Sequence, residues 1–337
     1  MNIINSNAPR VSVAIPLYRS ARFIDIIIDN IEAMPKQDIE ILVSDRHGYD
    51  DTIDRLIQRY DSDPRLRFFK HQDGLDWVGH INALLQEARG EYWRFLPHDD
   101  TSPAGSLELL ILALDTHKEA ILAYGPSQAV DLEGNRLPEH DHWHPQPPQV
   151  ENSSTLGIAL EMCWNWNVYA GSFKGLIRRK VLLENKLLLR STIGQVIPDR
   201  CWQFALCLLG RFHFVPEAIY IKRYYPGSTS QKWAFKSYTY YSAAWVMSTY
   251  LWGLLGPAPA RRYALWDVWL NAMRLALRRF RINRLRPFSY LAAPDLPCLL
   301  VNRVLRLKTP YFQKFSESRQ RKIDLLRMMT LPQKRQW

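Results

Sequence analysis

Carboxylates placed just after short apolar runs are the residues of this 337-residue chain best suited to chemistry. Glu91–Leu96 reads as a buried strand running into Pro97-His98-Asp99-Asp100. Ile39–Val43 reads as another, leading into the polar loop Ser44–Tyr49 that holds Asp45. Carboxylates at a strand end can hold Mg²⁺ or Mn²⁺ through oxygen and leave positions open for phosphate. Asp99-Asp100 also precedes a helical stretch starting at Pro103, where an aspartate serves equally well as an N-cap. Asp45 can be a simple turn residue. Arg223 offers a planar guanidinium that suits phosphate, or an ordinary surface ion pair. Asp199 stands at the start of a helical pattern over Pro198–Gly210 and can cap it. His140, His142 and His144 alternate along a Pro-rich stretch, 131–152, which lacks the fixed geometry and second shell of a zinc site. A solvated loop, or a lid touching a substrate, accounts for it better. Trp164 and Trp166 can stack on a ring or simply fill a core.

The elements that must position these groups alternate along the first 130 residues. Val11–Ile15 is an apolar run that Pro16 should stop. Phe23, Ile26, Ile27, Asn30, Ile31 and Met34 then recur at helical spacing up to Pro35. After Ile39–Val43, Asp50 or Asp51 can cap a helix containing Ile53, Leu56, Ile57 and Tyr60. Leu66–Phe69 is a third strand, and Trp77–Ala88 a helix that Gly90 should close. Pro103–Asp115 is helical again, and Ile121–Tyr124 a fifth strand. Further on, Ser153–Met162 reads as a helix capped by Ser153 or Ser154, and Ser172–Ile177 and Phe214–Ile221 read as strands. The alternation implies an α/β fold with a mostly parallel sheet. Ligands of such sheets sit beyond the carboxyl ends of the strands, where Tyr18, Asp45 and Asp99-Asp100 fall. Neither glycine fingerprint, dinucleotide or P-loop, occurs there, so those two classes are excluded.

Charge is distributed unevenly. Residues 1–160 carry 14 Lys+Arg against 25 Asp+Glu, whereas residues 161–337 carry 30 against 8. One part therefore meets anions that the other does not. Four scattered cysteines without a C-x-x-C pair argue against a disulfide framework and for a reducing, cytoplasmic setting. The N-terminal MNIINSNAPR has no basic and apolar export pattern.

The order of the loops resembles family 2 glycosyltransferases with a GT-A fold. Val11-Ser12-Val13-Ala14-Ile15-Pro16-Leu17-Tyr18 is similar to the opening strand and Pro-x-Tyr turn. Glu40–Asp45 with Asp50-Asp51-Thr52 resembles the acidic nucleotide loop. Asn82, then Gly90 through Asp100, resembles the strand ending in the metal-binding motif. Asp199, with Val215-Pro216-Glu217 and Pro226-Gly227-Ser228-Thr229-Ser230, resembles the base helix and closing segment. The resemblance covers residues 10–231 and implies a GT-A domain over 1–231, with a nucleotide-binding half at 1–130 and an acceptor half at 131–231. It implies a nucleotide-diphosphate-sugar donor, Mg²⁺ or Mn²⁺ on Asp99 with Asp100, and Pro16, Tyr18, Asp45, Asp100 and Arg223 around the donor. It also implies Asp199 as base for an inverting transfer to a glycan or lipid-linked acceptor. Two positions depart from the pattern. Pro97 stands where an acid is common, and Lys222-Arg223-Tyr224-Tyr225 stands where Tyr-Arg-x-His is usual, so a metal-holding histidine is missing. A catalytically inactive binding or assembly protein is the alternative. The Q-x-x-R-W motif of processive relatives is absent, which favours single-sugar addition.

Residues 232–337 form a basic, mostly helical tail, with 20 Lys+Arg against 4 Asp+Glu from 231 onward. Ser237–Ala260 is uncharged for 24 residues, yet too rich in Tyr, Trp and Ser for a typical spanning helix. In Tyr263–Arg281, Leu265, Trp269, Ala272, Met273, Ala276, Leu277 and Phe280 share a face, opposite Arg274, Arg278, Arg279 and Arg281. That pattern suits a helix lying on an anionic membrane surface, peripheral on the inner face. It also suits a helical subdomain with a solvated basic face. No RRM, KH or zinc-finger signature supports nucleic acid.

Overall fold

The computed structural model describes residues 8–46, 48–70, 75–142, 154–164, 168–228, 231–255 and 259–284, apart from the side chains of 259–260 and 278–284. In chain order β1 (Val11–Leu17), α1 (Ile24–Ala33), β2 (Ile39–Asp45), α2 (Thr52–Arg59), β3 (Leu66–Lys70), α3 (Trp77–Glu87), β4 (Tyr92–Phe95), α4 (Ser106–Thr116) and β5 (Ala120–Tyr124) alternate. They are followed by β6 (Ser127–Val130), α5 (Thr155–Trp164), β7 (Leu176–Arg178), α6 (Arg179–Glu184), α7 (Pro198–Leu209), β8 (Arg211–Phe214), β9 (Tyr220–Arg223), α8 (Ser237–Leu254) and α9 (Pro259–Arg284). The chain divides into two compact units. The first holds residues 1–146, 169–189 and 210–232, and the second 147–168, 190–209 and 233–337. The division is thus not a single cut near 231, because two inner segments, one carrying Asp199, join the tail.

In the first unit seven strands form one sheet in the order β3-β2-β1-β4-β7-β5-β8, while β6 and β9 pair separately. Strands β1, β2, β3 and β4 are mutually parallel, and β7 runs antiparallel between β4 and β5. The β1 and β2 runs are mainly apolar because both their faces are buried. Helix α1 seals one face with Ile24, Ile27 and Ile31, a stripe at helical spacing. Edge strand β3 is only half-buried and carries Arg67 and Lys70, which discourage further pairing.

Several expectations shift by a physical rule. Pro16 does not stop the first strand but lies inside β1, opposite Ser44. Ala14, two residues earlier, directs its carbonyl to Leu96 N as the β4 ladder ends. Pro16 therefore faces the same, already unpaired side, and its missing N–H costs no ladder bond. Gly90 does not close α3 in a left-handed turn; that helix ends on an extended Ala88. The glycine is needed instead because a Cβ there would lie 2.6 Å from Ser12 N. The run 214–221 splits into β8 and β9 around a turn at Val215-Pro216-Glu217, closed by Ala218 N donating to Val215 O. Likewise Ser172–Lys174 is a short 3₁₀ turn, and extended backbone starts only at Leu176. Asp51 is the α2 N-cap by position, but the side chain that accepts from Thr52 N is that of Asp50.

The second unit is helical. Ser154 Oγ accepts from Gly157 N at the start of α5, as expected of a cap. Asp267 accepts from Trp164 Nε1 at 2.6 Å, and Asn271 Nδ2 donates to Cys163 O at 2.8 Å. These bonds turn one face of α9 inward, burying Ala264, Val268, Ala272 and Ala276. Arg274 is buried too, with its guanidinium over the Trp164 ring at 4.6 Å and bonded to Asn271. Of the face expected to lie in a membrane, Ala272 and Ala276 are packed on protein, Leu265, Met273 and Leu277 are half-buried, and Trp269 is exposed. Trp164 belongs to this interior, while Trp166, His144 and Cys298 lie outside the described residues. Cys163, Cys201 and Cys207 are buried free thiols. Among the described residues no helix is long and apolar enough to cross a membrane.

Candidate active site

The carboxyl ends of β1, β2 and β4 lie side by side in the first unit, with Leu17 paired to Asp45 in register. Pro16 is half-buried, Asp45 is buried and Tyr18 is exposed. Tyr18 meets Tyr49 edge-on at 5.4 Å, and the Arg46 guanidinium covers the Tyr18 ring at 4.6 Å. Arg19, between them in the left-handed region at φ 53°, covers Tyr49 at 4.9 Å. The loops interlock. Asp50 Oδ2 accepts from Ala21 N at 3.1 Å, and His98 Nδ1 accepts from Tyr18 N at 3.2 Å. Ser20 Oγ lies 2.7 Å from the same nitrogen, and the ring stacks on Phe23 at 5.3 Å. Burial holds the His98 imidazole below its usual pKa, so it is a neutral clamp between loops.

The two aspartates after β4 have different tasks. Asp100 is buried; its Oδ2 accepts from Tyr220 OH at 2.5 Å and its Oδ1 from Arg223 N at 2.9 Å. Its carbonyl accepts from Asn30 Nδ2 at 2.8 Å. Burial, reinforced by the neighbouring Asp99 charge, pushes the Asp100 carboxyl up to about 6. Asp99 is half-exposed, and only its Oδ2 is engaged in a described bond, from Tyr225 OH at 2.8 Å. Arg223 Nη1 donates to the Asp99 carbonyl at 2.7 Å, while its Nε is buried with no hydrogen-bond partner among the described residues. Arg22 lies over the Tyr225 ring at 4.4 Å. Behind them Asn30 Oδ1 accepts from Ser102 N, and buried Arg94 donates to Ser102 Oγ and to the Lys174 carbonyl. Thr101 and Ile221 exchange backbone bonds of 2.9 Å, tying the motif to β9.

Of the residues expected from sequence, Pro16, Tyr18, Asp45, Asp99, Asp100 and Arg223 lie in the first unit and Asp199 in the second. Asp199 follows Pro198 inside the first turn of α7, so it does not occupy the cap position. The loop before it is strained, with Gln195 at φ 53° and β-branched Ile197 at φ 58°. Its neighbour Arg200 is half-buried and donates to Gln203 and to the Val168 carbonyl. Sequence reasoning missed Tyr220, Asn30 and Arg22, and read Tyr225 only as a lost histidine. A hydroxyl able to reach a carboxylate was the available signal. His140 and His142 both contact Tyr224, by stacking at 5.1 Å and at 3.3 Å to its hydroxyl.

The donor set is spare for a metal. No group of three or more His, Cys, Asp or Glu side chains able to hold an ion occurs among the described residues. Both Asp100 oxygens already accept hydrogen bonds, which leaves Asp99. One carboxylate fits a divalent ion whose other ligands are donor phosphates and water, as Mg²⁺ commonly prefers.

The sequence profile of the family described as Glycosyl transferase family 2 matches residues 12–184. An uncharacterized protein of Sinorhizobium fredii is 23% identical over 281 residues, covering 78% of this chain and 28% of that protein. A Campylobacter jejuni protein named GalNAc(5)-diNAcBac-PP-undecaprenol beta-1,3-glucosyltransferase is 31% identical over 104 residues, 31% of this chain and 34% of that one. The chain therefore spans only about a third of the length of these relatives. Among solved structures, residues 1–349 of S. aureus TarS in complex with UDP-GlcNAc give a TM-score of 0.61 at 16% identity, covering 82% of this chain and 76% of that one. That likeness is one of fold.

Proposed function

The chain belongs to glycosyl transferase family 2, with the GT-A architecture, and on that premise we propose that it transfers one sugar from a nucleotide-diphosphate donor to an acceptor hydroxyl. The observation that carries this reading is the cluster beyond β1, β2 and β4, where Asp99 presents a carboxylate flanked by Tyr225 and Arg223. Pro16 and Tyr18 wall the nucleotide, with Arg46 holding the Tyr18 ring. Asp45 accepts from a base N–H or a ribose hydroxyl. Arg223 offers the diphosphate the guanidinium N–H groups left over from its bond to the Asp99 carbonyl. Asp100 acts through its neighbours, fixing the Arg223 backbone and Tyr220. Mg²⁺ or Mn²⁺ held by Asp99 and donor phosphates would supply Lewis-acid neutralisation of the leaving diphosphate. Asp199 is the candidate base that takes the acceptor proton, with inversion at the anomeric carbon. The strained backbone leading into it supports a functional loop.

The acceptor class is a glycan or lipid-linked glycan of a surface polysaccharide or glycolipid. Its support is the undecaprenol-linked substrate in the Campylobacter jejuni name, and an Escherichia coli chondroitin synthase 26% identical over 136 residues. A cytoplasmic setting accords with the buried free thiols. One observation favours a second reading. Tyr225 occupies an oxygen of Asp99 and Asp100 is fully engaged, which also suits a donor-binding or assembly module without turnover.

Calorimetry with UDP-, GDP- and dTDP-sugars, with and without Mn²⁺, combined with assays of nucleotide release, tests both. The expected result is that one donor binds and that metal-stimulated release disappears in Asp99→Ala. Asp199→Asn should keep donor affinity while transfer falls about 100-fold or more. Binding without release under any condition selects the second reading. Failure of every donor to bind refutes both.

A further inference from the structure

With Ala264, Val268, Ala272 and Ala276 of α9 turned inward, the exposed face of the α8/α9 pair carries the residues whose setting needs explaining. Tyr238, Tyr241, Trp245 and Trp252 recur along one stripe of α8, and Trp266 and Trp269 stand on α9. Trp245 and Trp266 are each 65% exposed and Trp252 is 59% exposed. The two sets meet: Trp269 donates to Ser248 Oγ at 3.1 Å and stacks with Tyr241 at 6.3 Å. They form one surface rather than scattered rings.

Its rim is cationic. Lys236 lies 5.8 Å over Tyr238 at one end of α8, and Arg261 lies 3.7 Å over Trp252 at the other, followed by exposed Arg262. Between Ser237 and Arg284 the chain has a single acid, Asp267, and that side chain is buried against Trp164. Protein interfaces also favour Trp, Tyr and Arg, but they border them with a rim of mixed polar residues. Indoles and phenols bordered by cations, with no exposed acid, instead match the headgroup level of an anionic bilayer, where amphipathic rings settle.

We propose that this aromatic face of the α8/α9 pair seats the protein in the headgroup layer of an anionic membrane, lying on the bilayer without crossing it. The occupant is lipid. The inference does not depend on sugar transfer, since a protein that bound no nucleotide could still have this surface.

The test uses the full chain and vesicles of phosphatidylcholine with or without roughly 30% phosphatidylglycerol. Co-sedimentation should be strong only with the anionic vesicles, and lipids brominated near the glycerol should quench tryptophan emission. Trp245→Ser combined with Trp266→Ser should lower partitioning about tenfold or more, as expected when two interfacial anchors are lost. Arg261→Gln with Arg262→Gln should weaken binding to anionic vesicles alone. Nucleotide affinity should stay unchanged in both variants, because all four residues belong to the second unit, and the melting temperature should hold in the tryptophan pair, whose side chains are exposed. The proposal is overturned if vesicles do not bind, if the tryptophan pair leaves partitioning unaltered, or if that pair instead abolishes concentration-dependent self-association. The last result would make the occupant a second copy.

Discussion

Two tyrosine-to-phenylalanine substitutions, chemically identical, should separate the roles of Asp99 and Asp100. Tyr225 OH donates to Asp99 at 2.8 Å and Tyr220 OH to Asp100 at 2.5 Å. Each deletion removes a hydrogen bond to a charged group, worth about 1.5–3 kcal/mol. For Tyr220→Phe both partners are buried, so little water can replace the lost donor. Asp100 would keep only the Arg223 amide, and the loss should appear in stability as a drop of about 1–3 kcal/mol. For Tyr225→Phe the aromatic ring stays in place under Arg22 and beside Phe23, 5.3 Å away. Asp99 is half-exposed and can recover solvent bonds, so the stability change should remain below about 1 kcal/mol. What the second variant loses is orientation of the one carboxylate left for a metal. Loss of an outer partner of this kind typically costs 10–100-fold in metal affinity. The assay is titration of Mn²⁺ into the nucleotide-saturated protein, run beside urea unfolding of both variants. Unchanged or tighter Mn²⁺ binding in Tyr225→Phe would refute the reasoning, because the hydroxyl would then be a competitor of the ion rather than its support.

Two further substitutions test the scaffold. Gly90→Ala places a Cβ 2.6 Å from the Ser12 amide, a backbone atom that cannot swing aside, so the cost should be about 1–3 kcal/mol in urea unfolding. Asp63, held below the ordinary carboxyl range by hydrogen bonding to buried Arg65, should stabilise the fold above the unfolded pKa of about 3.9 and lose that contribution as pH falls. Asp63→Asn should therefore be less stable than the parent at neutral pH, and the difference should close progressively below about pH 4 in denaturant curves taken across pH.

The sheet was legible because central parallel strands, buried on both faces, are rich in apolar residues, as Val11–Ile15 and Ile39–Val43 are, apart from Ser12 and Glu40, which bond each other. Asp45 and the Asp99-Asp100 pair were legible because polar residues directly after such runs stand at the ligand end of the sheet. Less could be read where sequence-distant contacts decide the outcome. Nothing near Asp100 announces Tyr220, 120 residues away, as its donor. The same holds for α9, whose apolar stripe was visible while its partner was not. Arg274 looked like a solvated cation because it groups with Arg278, Arg279 and Arg281 opposite the apolar stripe, yet Trp164 and Asn271 draw it inside. Periodicity identifies a face, but only packing says what the face meets.

The two departures from the family pattern can be weighed together. Pro97 supplies no carboxylate, and His98 is committed to Tyr18 and Ser20. Asp100 spends its oxygens on Tyr220 and Arg223, so the motif turns one acid outward rather than two or three. Around that acid the fixed charge is positive: Arg223 bonds its carbonyl, Arg22 lies over the tyrosine that holds it, and the Lys174 charge bears on both His98 and Asp100. A leaving diphosphate can be neutralised either by an ion assembled on several carboxylates or by guanidiniums fixed in place beforehand, and preorganised donors need no rearrangement as charge develops. On the proposed reading this protein shifts the balance toward the second device. Its dependence on Mn²⁺ should accordingly be shallow, with substantial nucleotide affinity in the absence of metal and a larger loss from Arg223→Ala than from chelation, measured by calorimetry on the same protein. If chelation instead abolished binding while Arg223→Ala spared it, the cations would be bystanders and Asp99 would hold the ion that does the neutralising.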